Sequence, residues 1–125
     1  MKWLSFDEGD KKKSIFNINN QRWTIQYVNW NDIMLYDRTN TRTYATTNPL
    51  THTVYVSNAI SGDFLREVLL HEITHCILIS YNMTNTIYTI SKPEYRHYAE
   101  EWCCNLIAEH FDEVDSIING LLYGG

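Results

Sequence analysis

The sequence predicts an α+β fold in which a small β-sheet packs on one long helix and a second helix follows towards the C-terminus. Period-two apolar patterning is confined to the first half of the 125 residues, and helical periodicity takes over from Phe64. Strands gathered before helices point to α+β rather than to an alternating α/β arrangement. The length argues for a single domain over residues 1–125. A chain of this size can bury a core of its own, so neither disulfides nor an obligate partner is needed for folding.

Residues 22–28 (RWTIQYV) alternate, are rich in β-branched and aromatic side chains, and read as a strand. Residues 33–36 suit a second, short strand. Residues 39–49 hold threonines, asparagines and a proline and read as a loop or ragged edge. Residues 53–57 (TVYVS) are a further strand, ended by Asn58. The first helix is expected to start near Ser61 to Asp63, where Ser or Asp can cap it, and to end near Tyr81 and Asn82. Its apolar face runs through Phe64, Leu65, Val68, Leu69, Leu78 and Ile79. A second helix is expected from Ser91, with Ser91 as N-cap, Pro93 in the first turn and Glu94 completing a capping box. It should run past Val114, with a break near residues 112–115, and carry the stripe Cys104, Ile107, Phe111, Val114 and Ile118.

A formal net charge of −5 lacks the basic footprint of a nucleic-acid binder. The one basic run, Lys11 to Lys13, follows Asp7, Glu8 and Asp10 and reads as a solvated turn. Three cysteines, two of them adjacent, make neither a disulfide framework nor a zinc ribbon, and they read as small core residues in a reducing compartment. The first thirteen residues lack an apolar signal region, and no stretch is long enough to span a bilayer. A cytoplasmic protein with neither nucleic-acid nor membrane partners is expected.

The chemistry centres on His71-Glu72-Ile73-Thr74-His75. Histidines four apart on a helix project from one side, so both imidazoles can meet one zinc ion at about 2.0–2.1 Å. The residue after the first histidine lies about 100° further round the helix, within reach of a water on the metal but badly placed to ligate. Glu72 is therefore the expected catalytic base, and the reaction implied is hydrolysis of a carbonyl compound, above all a peptide bond. With five histidines and eight glutamates in the chain, the motif arises by chance in roughly one such sequence in a hundred. Its place on a well-patterned helix, behind the run Val68-Leu69-Leu70, adds to its weight.

A catalytic zinc usually takes three protein ligands and keeps one position open. A metzincin extension is absent, because Leu78 and Tyr81 stand where a glycine and a histidine are needed. The second helix offers Glu94, His97, Glu100 and Glu101. Glu94 has a gluzincin-like spacing from His75, but the capping box would already employ it. Glu101 and Glu100 both border the apolar stripe, where an unpaired carboxylate is costly, and helical phase does not separate them.

His71-Glu72-Ile73-Thr74-His75, followed by Glu101 and Asn105-Leu106-Ile107-Ala108, resembles the ImmA/IrrE-type metallopeptidases of bacteria, phages and mobile elements. In that family a second helix reads roughly Glu-x-x-Ala-Asn-x-Phe-Ala and its glutamate is the third ligand. Aligning Asn105 with the family asparagine implies Glu101 as that ligand, with Cys104 and Ile107 in place of Ala and Phe. The resemblance spans residues 54–111. It lacks the family's Leu-Leu-x-Pro, since Phe111-Asp112-Glu113-Val114 stands there, and no helix-turn-helix segment is evident. It thus implies a minimal, phage-type member with a zincin-like fold, the sheet packed on the HExxH helix and the C-terminal helix supplying the third ligand.

The expected function is a zinc metallopeptidase in which His71, His75 and Glu101 hold Zn2+ and Glu72 activates the bound water. Its partner would be a protein or peptide substrate, added as an extra strand on the edge of residues 53–57. The competing reading is a catalytically silent zinc protein that docks on a host or regulatory partner. A non-peptide amide hydrolase is a third possibility; the zinc-deaminase pattern is absent. His97 reads as a surface residue that could otherwise orient a ligand carboxylate or bind metal. His52 and His110 read as structural or exposed. Tyr95 and Tyr98 are candidate donors to an oxyanion. Cys103 and Cys104 are possible thiolate ligands that burial explains equally well, and Cys76 should face away from the metal.

Overall fold

In a computed structural model that describes residues 4–8 and 11–124, the chain forms a mixed α+β structure. Five strands, β1 (Leu4–Glu8), β2 (Lys11–Ile18), β3 (Gln21–Val28), β4 (Ala45–Asn48) and β5 (Thr53–Ser57), form one sheet in the order β1-β2-β3-β5-β4. β3 and β5 pair in parallel and every other neighbour is antiparallel. Three helices follow: α1 (Gly62–Ser80), α2 (Met83–Ile90) and α3 (Arg96–Tyr123).

β2 and β3 are joined by Asn19 and Asn20, both at positive φ (52° and 61°), a conformation that asparagine tolerates and that two-residue hairpin turns demand. Lys11 to Lys13, expected in a solvated turn, lie in β2 instead. Lys11, Lys12 and Lys13 stand opposite Glu8, Asp7 and Phe6 of β1, and the strand forms because its backbone pairs with β1 on one side and β3 on the other.

Phe16 and Ile18, Trp23 and Ile25, and Val54 and Val56 recur at period two and bury one face of the sheet. α1 covers that face with Cys76, packed by Leu65, Leu69, Ile73 and Ile79. The far end of α1 is pinned by the β2–β3 hairpin. Asn19 Nδ2 and Gln21 Nε2 donate to the Ser80 carbonyl at 3.1 and 3.2 Å, satisfying a carbonyl that the helix leaves without a partner. The buried Trp23 indole donates to Ser80 Oγ at 2.7 Å. α1 is therefore fixed to the sheet, and so is whatever it carries.

Several expectations need correction. Residues 33–36 are not a strand: Ile33–Leu35 form a 3₁₀ turn, started by Asp32 accepting from the Met34 amide and held by burial of Leu35. Residues 45–48, expected in a loop, are the edge strand β4, because their backbone pairs with β5 despite a polar composition. β5 consequently lies inside the sheet and offers no free edge for a substrate. Ser61 occupies the N-cap of α1 but makes no capping bond through its side chain. The capping box from Ser91 does not form either. Lys92 starts a 3₁₀ turn, Pro93–Tyr95, without a side-chain cap, and α3 begins only at Arg96. No break occurs near residues 112–115, and α3 continues to Tyr123. The helix α2 carried too short a pattern to be read. The stripe on α3 is buried only at Cys104; Ile107, Phe111, Val114 and Ile118 are each at least 42% exposed. Among the described residues, no helix is long and apolar enough to cross a membrane.

Candidate metal centre

A spacing of four residues, close to the 3.6 of one helical turn, brings His71 and His75 to the same side of α1. Their Nε2 atoms lie 3.3 Å apart. α3 runs antiparallel across this face, as successive contacts show: His75 meets Glu100, His71 meets Glu101, and Arg66 meets Asp112 at 2.7 Å. Glu101 faces both imidazoles, with Oε1 3.0 Å from His75 Nε2 and Oε2 3.2 Å from His71 Nε2. One ligand atom from each of His71, His75 and Glu101 lies within 4.8 Å of the others, and among the described residues these three make the group that could hold a metal ion. Two imidazole nitrogens and a carboxylate oxygen form a donor set suited to zinc, so the residues fit the metal that the motif implies.

Glu100, the neighbour that helical phase left equivalent, turns to the other side of the same imidazole. Its Oε1 is 3.3 Å from His75 Nδ1, and its Oε2 accepts from the Tyr88 hydroxyl at 3.0 Å. Glu94 sits exposed in the 3₁₀ turn before α3 and is not part of the group.

Electrostatics follow from this crowding. Burial opposes a charge on His75, yet hydrogen bonds to Cys104, Glu100 and Glu101 prevail and its pKa is pushed up to about 12. Hydrogen bonds from His71 and His75 hold Glu101 well below the usual carboxylate range. His75 likewise lowers Glu100, against the opposing effect of burial. Glu72 behaves differently. Only 5% exposed, its carboxyl is pushed up by burial, with the nearby histidines opposing, and Thr47 Oγ1 on β4 donates to Oε2 at 3.4 Å. A buried carboxylate raised in pKa beside a group that could hold a metal is a candidate general base.

Thr47, His71, Glu72, His75, Glu100 and Glu101 line one cleft of about 960 Å³ between β4, the 36–38 segment and the helices. His97 also lines it, but is exposed and lies 3.2 Å from Arg38 through Nδ1, outside the ligand group. His52 stacks on Trp23 with ring centroids 4.2 Å apart, and His110 is exposed beside Glu109 and Glu113. Tyr95 and Tyr98, the expected oxyanion donors, are 56% and 71% exposed and do not line the cleft. Cys76 packs into the core as expected, and neither Cys103 nor Cys104 joins the ligand group.

Thr47, Arg38 and Tyr88 are site residues that the sequence did not reveal. Met83, Ile87 and Ile90 have helical spacing, but over only eight residues it is too short a signal to establish α2, and with it Tyr88, from the sequence. Nothing local marked Thr47, which lies 25 residues from Glu72 in the chain. In comparisons with known proteins, no family model, no curated protein and no solved structure matches the chain.

Proposed function

We propose that this protein is a zinc-dependent peptidase of zincin-like design, akin to the ImmA/IrrE-type metallopeptidases and acting on a protein or peptide substrate in the cytoplasm. The observation that carries the reading is the position of Glu72: a buried carboxylate with a raised pKa, beside a two-histidine, one-glutamate cluster and facing the same cleft. A purely structural metal site has no need of such a group. His71, His75 and Glu101 would hold the metal. When bound, zinc supplies a Lewis acid that acidifies water and polarises the scissile carbonyl. Glu72 takes the proton from the attacking water and delivers it to the departing amine, so one residue serves as base and then as acid. Thr47 orients Glu72 through its hydroxyl. The edge strand β4, rather than β5, is the one placed to receive an extended peptide by strand addition.

The test is to incubate the zinc-loaded protein with a complex peptide library and read new termini by mass spectrometry. Cleavage is expected to vanish with a chelator and in Glu72→Gln, while that variant keeps its zinc. A zinc-loaded parent that cuts nothing, or a Glu72→Gln variant that cuts as well as the parent, overturns the reading.

One observation favours a second reading. The uncovered stripe of α3, from Ile107 to Ile118, suits a protein that works by docking with its metal in a structural role. In that case the biological effect persists in Glu72→Gln.

A further inference from the structure

α2 packs loosely: none of its residues is buried. Polar contacts tie it down instead, and they converge on Tyr88. The Tyr88 hydroxyl donates to Glu100 Oε2 at 3.0 Å, and its carbonyl accepts from Arg96 Nε at 3.0 Å. The Arg96 guanidinium lies 5.9 Å from the Tyr88 ring centroid. Glu100 in turn is 7% exposed, and its second oxygen lies 3.3 Å from His75 Nδ1. An ionised carboxylate only accepts, so this contact keeps a hydrogen on Nδ1, and when His75 gives up a proton to bind a metal it is Nε2, turned to His71 and Glu101, that is left to ligate.

We propose that Glu100 is a positioning residue that fixes the ring and tautomer of His75, that Tyr88 holds Glu100 in place, and that α2 is therefore part of the metal centre. A metal-ligating histidine commonly gives its outer N–H to a carboxylate, and that partner sets ligand orientation and basicity. Here the chain Tyr88–Glu100–His75 runs through α2, α3 and α1, so three helices are registered on one imidazole. A buried carboxylate at this place is accounted for by its partners, because its desolvation is offset by the hydrogen bonds from His75 and Tyr88 and by the charge of His75. The proposal rests on the metal reading given above, and its test separates the two.

Zinc affinity is measured by chelator competition on the full chain for the parent, Glu100→Gln and Tyr88→Phe, with thermal unfolding of each metal-free protein as a control. Glu100→Gln should lose about 10- to 100-fold in affinity. Tyr88→Phe keeps every charge and should still weaken zinc binding, by a smaller factor, which separates positioning from simple loss of negative charge. It also serves should Glu100→Gln fail to fold. Nitrogen NMR of the zinc form should show the hydrogen of His75 on Nδ1 in the parent and a mixed or altered state in Glu100→Gln. If the parent takes up zinc and both variants bind it within twofold of the parent, the positioning role is wrong while the metal centre stands. If the parent takes up no stoichiometric zinc, the metal reading fails and this proposal with it.

Discussion

A proton must leave before a metal can enter. His75 is 12% exposed on its side chain; its burial opposes a charge, but hydrogen bonds to Cys104, Glu100 and Glu101 prevail and push its pKa up to about 12. Its unfolded counterpart loses its charge near pH 6.5. Because the folded pKa is raised, this group's stabilisation is fully present below pH 6.5 and is lost as pH rises towards 12. In that window the folded state carries one proton more than the unfolded state, so metal-free stability declines by about 1.4 kcal/mol per pH unit from this group. With zinc on Nε2 the imidazole is neutral, and the decline disappears. Subtracting the two curves cancels every group that zinc does not touch. From pH 7 to pH 8 zinc affinity should therefore rise about tenfold, with about one proton released from His75 per ion. Calorimetric titration in two buffers of different ionisation enthalpy counts the protons, and chelator competition at both pH values gives the affinities. Zinc binding that releases no proton and is equally tight at pH 7 and pH 8 would refute the coupled His75–Glu100–Glu101 arrangement.

Other outcomes follow from single contacts. Glu101→Ala should weaken zinc binding by more than the roughly 10- to 100-fold typical of outer partners, whereas Glu94→Ala, in an exposed turn, should leave it unchanged in the same competition assay. Ser80→Ala removes the acceptor of the buried Trp23 indole and should cost about 1–3 kcal/mol in urea unfolding followed by tryptophan fluorescence. Leu121→Ser lies on the uncovered end of α3, where the leucine is 80% exposed, and should shift stability by no more than about 0.5 kcal/mol; a larger loss would mean that this face is covered in solution.

Much of the sheet was legible where one face is buried. Residues 22–28 and 53–57 alternate because Trp23, Ile25, Val54 and Val56 face α1, and α1 itself was visible from its periodic apolar face. β4 was not legible, since its two threonines favour strands but its alanine and asparagine do not, no buried alternation marks it, and it exists by pairing with β5. The same holds for Lys11 to Lys13, whose partners lie on a neighbouring strand. The stripe on α3 misled for the opposite reason. Its periodicity is real, but periodicity reports which residues share a face and not whether another element covers that face.

The sequence alone determined that His71, Glu72 and His75 occupy adjoining positions on one helix, because that relation is local and follows from 3.6 residues per turn. Tertiary structure decided which glutamate faces which nitrogen. Glu100 and Glu101 lie about 100° apart on α3 and both border its apolar stripe, and only the approach of α3 to α1 turns Glu101 to the Nε2 atoms and Glu100 to Nδ1 of His75. It also decided which strand borders the cleft and that Tyr88 belongs to the site. Those facts depend on distances between segments far apart in the chain, which a one-dimensional pattern does not encode.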